Sequence, residues 1–336
     1  MKRDYLIELV RFLATCGIAI FHFEWIYLGH TVYFRHFYLW VEFFFVLSGF
    51  FLTKNVRSDS NEDKFGSIKY IKRQAVKLWK PYIIAFLFSF IVYCIINQIQ
   101  GINHILSILF LAKWEIFFMQ LTGYDLKAPM INGVTAYISA LLGSSLVIHY
   151  LLKNHDRLLI NILIPIAPIF IYSHIIYTYG NLSQWMAYEN WYTIGLFRGI
   201  AGMLVGAGAY LYSEQKQVRG GIGKKDRMIS LGIGCIAIVA LVWYRNSLSY
   251  SDEILYPYIF GMILRSIYFR ERKKVNTILE KVCLLLGKCS YHIFLIHYGV
   301  CYLLLRYMGG LQYSEIAPWY MIIIIGIGGI MSRIIL

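Results

Sequence analysis

The sequence predicts an all-α integral membrane protein of about ten transmembrane helices, with both termini cytoplasmic and one domain over residues 1–336. Three observations carry this prediction. Apolar side chains make up 59% of the chain and charged ones only 15%, with a mean hydropathy of +0.58, whereas soluble domains are about 25% charged. Apolar stretches near the ~20 residues that cross a bilayer recur along the whole length. Lys and Arg also concentrate in alternate connecting segments, which orients such a chain by the positive-inside rule. The net charge of +14 would suggest nucleic acid on a soluble protein; sorted by side of a membrane it does not, and no nucleic-acid partner is expected.

The first span, 5–27, follows Lys2 and Arg3 and shows no small-residue cleavage pattern, so it is expected to stay as an anchor. The second, 38–54, reads LWVEFFFVLSGFFLTKN, and the third, 81–99, follows the basic run YIKRQAVKLWKPY. Further spans are expected near 131–152, 157–176, 190–212, 228–245, 253–269, 289–307 and 317–335. Residues 102–120 are apolar but carry Lys113 and Glu115 centrally. Counting them as a span would place the basic segments after Tyr212 and Arg265 outside, against the charge bias, so they are read as interfacial or re-entrant. The outer segments then hold only Arg35, Lys113, Lys127, Arg245 and Arg306, while Arg11 and Arg198 are embedded. The six cysteines lack metal-type spacing and read as packing residues; no metal is expected.

Arg11 and His22 are expensive residues for a membrane helix. Eleven positions bring them back to one helix face, roughly 16 Å apart along the axis. Glu8 can pair with Arg11 at i, i+3 as a structural bridge, or Arg11 can hold an anion or a substrate. His22 falls near the outer end of its span, at the depth of Glu42 in the next. A carboxylate against the ring would make His22 a general base; alone it reads as a hydrogen-bonded interfacial histidine. Ser48-Gly49 allows close approach to the first helix, and no nucleophile elbow surrounds Ser48.

Arg73 and Lys77, with Lys72 and Lys80, can hold the phosphates of a nucleotide-bearing donor or anchor to anionic lipid; Arg270, Arg272, Lys273 and Lys274 read in the same way. Arg198 precedes Gly199, Gly202, Gly206 and Gly208, a helix-packing seam beside an embedded cation. The segment GKCSYHIFLIHYG offers Ser290, Tyr291, His292 and His297, the last at mid-span. Trp25, Tyr27, Tyr33, Tyr38, Trp40, Trp185, Trp191 and Tyr192 fit an outer aromatic belt, some with faces for sugar rings.

Four places in order resemble acyltransferase family 3 membrane proteins, bacterial enzymes that acylate extracytoplasmic glycans. They are Glu8, Arg11 and His22; Glu42 leading into FFFVLSGF, followed by the basic loop ending in Lys-Pro-Tyr; Phe197-Arg198 with its glycines; and Gly287 to His297. The resemblance implies transfer of an acyl group, usually acetyl from acetyl-CoA, from the cytoplasmic side to an extracytoplasmic glycan or lipid-linked sugar. It further implies residence in the bacterial plasma membrane, a stand-alone type without an esterase-like domain, and Arg11 and His22 as the essential pair. His22, Glu42 and Arg11 are then the catalytic candidates. Arg73, Lys77, Arg198, Ser290, Tyr291 and His297 are the donor-binding ones. Direct attack by the acceptor and a covalent acyl-histidine relay are both compatible with these residues. The rival reading is a polytopic transporter or flippase, whose two related halves and broken helices are not visible here.

Overall fold

The computed structural model describes residues 3–58, 66–118, 131–184, 188–189, 192–218, 223–243, 249–270 and 277–334. The aromatics Trp185 and Trp191 and the basic residues Arg272, Lys273 and Lys274 lie outside them, as does the side chain of Tyr192. The helices are α1 Tyr5–Leu28, α2 Trp40–Ser58, α3 Gly66–Ile96, α4 Ile102–Leu111, α5 Lys113–Phe118, α6 Thr135–Asn154, α7 Asp156–Tyr179, α8 Ile194–Val218, α9 Lys224–Trp243, α10 Leu255–Tyr268, α11 Thr277–Met308 and α12 Tyr313–Ile334. Each of the ten expected spans coincides over most of its described residues with a helix. Eight of the helices are long and apolar enough to cross a membrane; the other two expected spans are the 14-residue α10 and part of the 32-residue α11. Among the described residues one two-residue antiparallel pair, Tyr188–Glu189 with Tyr192–Thr193, is the strand structure.

The chain divides into two compact units. One comprises Met1–Phe37, Val76–Ser139 and Asn276–Leu336; the other comprises Tyr38–Ala75 and Ala140–Val275.

In the first unit α1 begins at Asp4, whose carboxylate accepts from the backbone N–H groups of Leu6 and Ile7 and so satisfies two orphan donors of the first turn. It ends at Gly29, whose φ of 75° is the left-handed conformation that favours glycine. The loop beyond is drawn back by Glu24, fully buried, which accepts from the N–H groups of Tyr33 and Phe34 at 2.7 and 2.9 Å. Helix α1 packs along α11, and α11 along α12. Their shared core holds Ala19, Phe23, Ile293, Val300, Cys301, Ile316, Tyr320 and Ile324.

The ambiguous stretch 102–120 starts with two short helices, α4 and α5, broken at Ala112. Ten residues of α4 rise only about 15 Å, half the hydrocarbon thickness, so α4 does not span. Glu115, the charge that made this stretch suspect, is buried; its oxygens accept from the N–H groups of Ile131 and Asn132 at 3.0 and 2.7 Å, and its carbonyl accepts from the Tyr82 hydroxyl.

In the second unit α2 and α8 meet backbone to backbone. A Cβ on Gly206 would fall 2.0 Å from the Val46 carbonyl oxygen, and one on Gly49 2.1 Å from that of Met203. The glycine seam of α8 is therefore real. The close partner of Gly49 is α8, where the sequence reading expected the first helix, and Ser48 spends its hydroxyl on the Phe44 carbonyl. Helices α7 and α10 pack on α8 as well, and α9 on α10.

Candidate active site

The first unit contains a histidine pair. Tyr320 links α12 to both of the other helices, its hydroxyl lying 3.2 Å from the Ala19 carbonyl oxygen and 3.3 Å from that of His297. Against that brace, His22 Nδ1 lies 2.9 Å from His297 Nε2, with the rings at 19° and centroids 5.1 Å apart. His297 is fully buried and His22 half-buried. The hydrogen bonds assign direction. A carbonyl only accepts, so His297 Nδ1, 2.7 Å from the Phe294 carbonyl, carries a proton and donates it. In the neutral ring His297 Nε2 is then an acceptor, so His22 Nδ1 donates to it and His22 Nε2 keeps its lone pair. The chain Phe294 O, His297, His22 thus fixes the tautomer, as an orienting carboxylate does in a catalytic triad, and leaves His22 Nε2 with its lone pair.

This corrects the expected partnership. The ring that orients His22 is His297, and the carboxylate of Glu42 is committed within the second unit. There Arg198 Nε donates to Glu42 Oε1 at 2.7 Å, Arg198 Nη2 makes an ion-pair contact with the same oxygen, and the Tyr172 hydroxyl donates to Oε2 at 2.5 Å. Glu42 is fully buried and Arg198 only 3% exposed. A buried guanidinium and carboxylate so paired neutralise each other, which gives Arg198 a structural reason for its place in α8. Gly202 leaves the room: a Cβ there would meet the Phe45 side chain at 2.6 Å and the Tyr172 hydroxyl at 3.2 Å.

Arg11 sits on α1 where the helical spacing placed it, with Nη1 donating to Glu8 Oε2 at 2.8 Å. Glu8 is buried against the α11 backbone, because a Cβ on Gly287 would lie 2.1 Å from its Oε2. The Arg11 side chain stays 25% exposed, and a planar fork held at one corner by Glu8 keeps further donors for an anion. Since α1 is unbroken from Tyr5 to Leu28, Arg11 and His22 are about 16 Å apart along its axis.

The remaining donor-binding candidates divide by exposure. Arg73 and Lys77 are exposed on α3, and the Arg73 guanidinium lies 5.9 Å from the Tyr70 ring centre. Ser290 is buried and back-bonds to the Leu286 carbonyl, and the Tyr291 hydroxyl donates to the Leu78 carbonyl, so these two secure α11.

A family model described as an acyltransferase domain matches residues 4–335. The chain belongs to acyltransferase family 3. No curated protein and no solved structure matches it. As a family member the protein is a multi-pass membrane acyltransferase, and the match runs through every constellation above, from Glu8 in α1 to His297 in α11. Two participants escaped the sequence reading of this acyltransferase. Tyr172 looks in sequence like any tyrosine of an apolar helix. Gly287 was visible only as part of a motif, with no sign that its missing side chain seats Glu8.

Proposed function

We propose that the protein transfers an acyl group, acetyl in the first instance, from acyl-CoA on the cytoplasmic face of a bacterial plasma membrane to a hydroxyl of an extracytoplasmic glycan or lipid-linked sugar. The observation that carries this reading is the directed chain from Phe294 through His297 to His22, within a chain that belongs to an acyltransferase family. His22 Nε2 takes the proton of the acceptor hydroxyl as its oxygen bonds to the thioester carbonyl carbon. The C–S bond then breaks, and the proton passes from His22 to the leaving thiolate, releasing the ester and CoA. His297 accepts from Nδ1 throughout, which stabilises the imidazolium formed in between. Arg11, about 16 Å along the same helix, binds the anionic part of the donor, and Arg73 and Lys77 supply cationic charge for its phosphates.

The test uses purified protein in detergent with acetyl-CoA, reading thiol release, and compares by mass the acyl content of surface glycans in cells with and without the protein. Thiol release lost in His22→Ala with folding retained is expected, together with an acyl mass missing from the glycan. Robust glycan transport without donor turnover would overturn the proposal in favour of a flippase.

A further inference from the structure

The rings around the dyad extend beyond it in both directions. On α1, Phe21 meets His22 edge-on at 5.2 Å and Trp25 at 6.4 Å. On α11, Tyr298 meets His22 edge-on at 4.9 Å and His297 at 5.3 Å, and then Tyr302 at 6.1 Å. An unbroken series of aromatic contacts therefore leads from Trp25 through the imidazole pair to Tyr302. Its middle is enclosed and its ends are open: Trp25 is 53% exposed and Tyr302 38%. Trp25 lies three residues after His22, less than one helical turn, so its backbone position stands about 4.5 Å farther along α1.

Anchoring at a membrane interface accounts for an exposed tryptophan anywhere at that depth. It does not require a series of rings leading to the imidazole that the hydrogen-bond chain orients. An aromatic face carries negative quadrupole charge and attracts the positively polarised edge of a neighbour. The C–H groups on the apolar face of a pyranose offer such an edge, while the ring hydroxyls project around its rim. A sugar stacked beside the dyad presents one of these hydroxyls to it.

We infer that Trp25 and Tyr302 flank the dyad as an acceptor subsite that stacks on the apolar face of a pyranose ring and sets a rim hydroxyl before His22 Nε2. This rests on the acyl-transfer reading of His22 and adds that the acceptor is recognised as a closed sugar ring.

The probes are methyl glucopyranoside and glucitol, which both present sugar hydroxyls, only the first on a ring with a stackable face. Purified wild-type protein, Trp25→Leu, Trp25→Tyr and Tyr302→Leu are assayed with saturating acetyl-CoA, reading acceptor-dependent thiol release and ester mass. The wild type is expected to prefer the pyranoside. Trp25→Leu is expected to raise the pyranoside KM about tenfold, the shift a contact of ~1.4 kcal/mol produces, with the KM for acetyl-CoA unchanged; Tyr302→Leu is expected to act in the same direction, and Trp25→Tyr to restore most of the affinity. Leucine keeps the apolar bulk of a membrane anchor, so an unchanged pyranoside KM in Trp25→Leu would overturn the subsite. Equal use of pyranoside and glucitol by the wild type would overturn it without recourse to any variant. Thioester turnover with no acylated pyranoside would also remove the subsite alone, whereas absence of any thioester turnover would remove the acyl-transfer reading beneath it.

Discussion

His297→Leu isolates the hydrogen bond that gives His22 its direction. Leucine fills a fully buried site of similar size, so the change is mainly chemical. The Nδ1–H of His22 loses the acceptor now 2.9 Å away. In the transition state that N–H belongs to a ring acquiring positive charge, and hydrogen bonds to charged groups are worth about 1.5–3 kcal/mol. At 1.36 kcal/mol per tenfold, the expected fall in kcat is roughly 10- to 150-fold. His22→Ala, which removes the base itself, is expected to cost about 10²- to 10⁴-fold. The assay is thiol release from acetyl-CoA by purified protein, with the thermal midpoint as the folding control. The KM for acetyl-CoA should stay at its wild-type value in His297→Leu, because the residue orients a base and does not hold the donor. Wild-type kcat in a folded His297→Leu protein, or a change confined to the KM of acetyl-CoA, would refute the directed chain.

Other outcomes follow from the packing. Gly287→Ala should displace Glu8 from its seat and lower both thermal stability and activity, and adding Glu8→Ala should restore stability without restoring activity; no rescue in the double variant would reject the seat. Glu42→Met and Arg198→Met should each destabilise the protein by about 3–5 kcal/mol in thermal unfolding, and the double variant by less than either, because the singles strand a buried charge; additive losses would contradict the pairing. Gly206→Ala places a methyl 2.0 Å from a backbone oxygen and should cost about 1–3 kcal/mol, whereas Gly223→Ala, with nothing within 4 Å, should leave the melting curve unmoved. Single turnover with labelled acetyl-CoA should leave no label on the protein; a trapped acyl-histidine would replace direct attack by a relay.

Much of the fold was legible because membrane insertion reads the sequence locally. Spans of about 20 apolar residues are set by bilayer thickness, and each of the ten met a helix over most of its described residues, with boundaries moved by caps and turns such as Asp4 and Gly29. Residues 102–120 resisted because composition cannot distinguish a short span from a pair of short helices; the break at Ala112 and the burial of Glu115 by the N–H groups of Ile131 and Asn132 are tertiary facts. The Glu8–Arg11 bridge was readable because its partners share one helix, and helical geometry alone brings them together. Partnership between helices was not readable. The sequence suggests a similar depth for Glu42 and His22 on consecutive spans, yet such a count says nothing about the azimuth of either side chain.

The sequence by itself determined that this is a helical membrane protein, that its embedded charges demand partners, and that Arg11 and His22 lie along one face of α1. Tertiary structure decided who those partners are. His22 found His297, 275 positions away, and Glu42 found Arg198, 156 positions away. The physical reason is that a helix pairs its own residues through its pitch, whereas a contact between helices depends on their relative rotation and vertical register. Those are set by close-packing, at glycines such as Gly206 against Val46 and Gly287 against Glu8, where the absence of a side chain decides how nearly two helices approach.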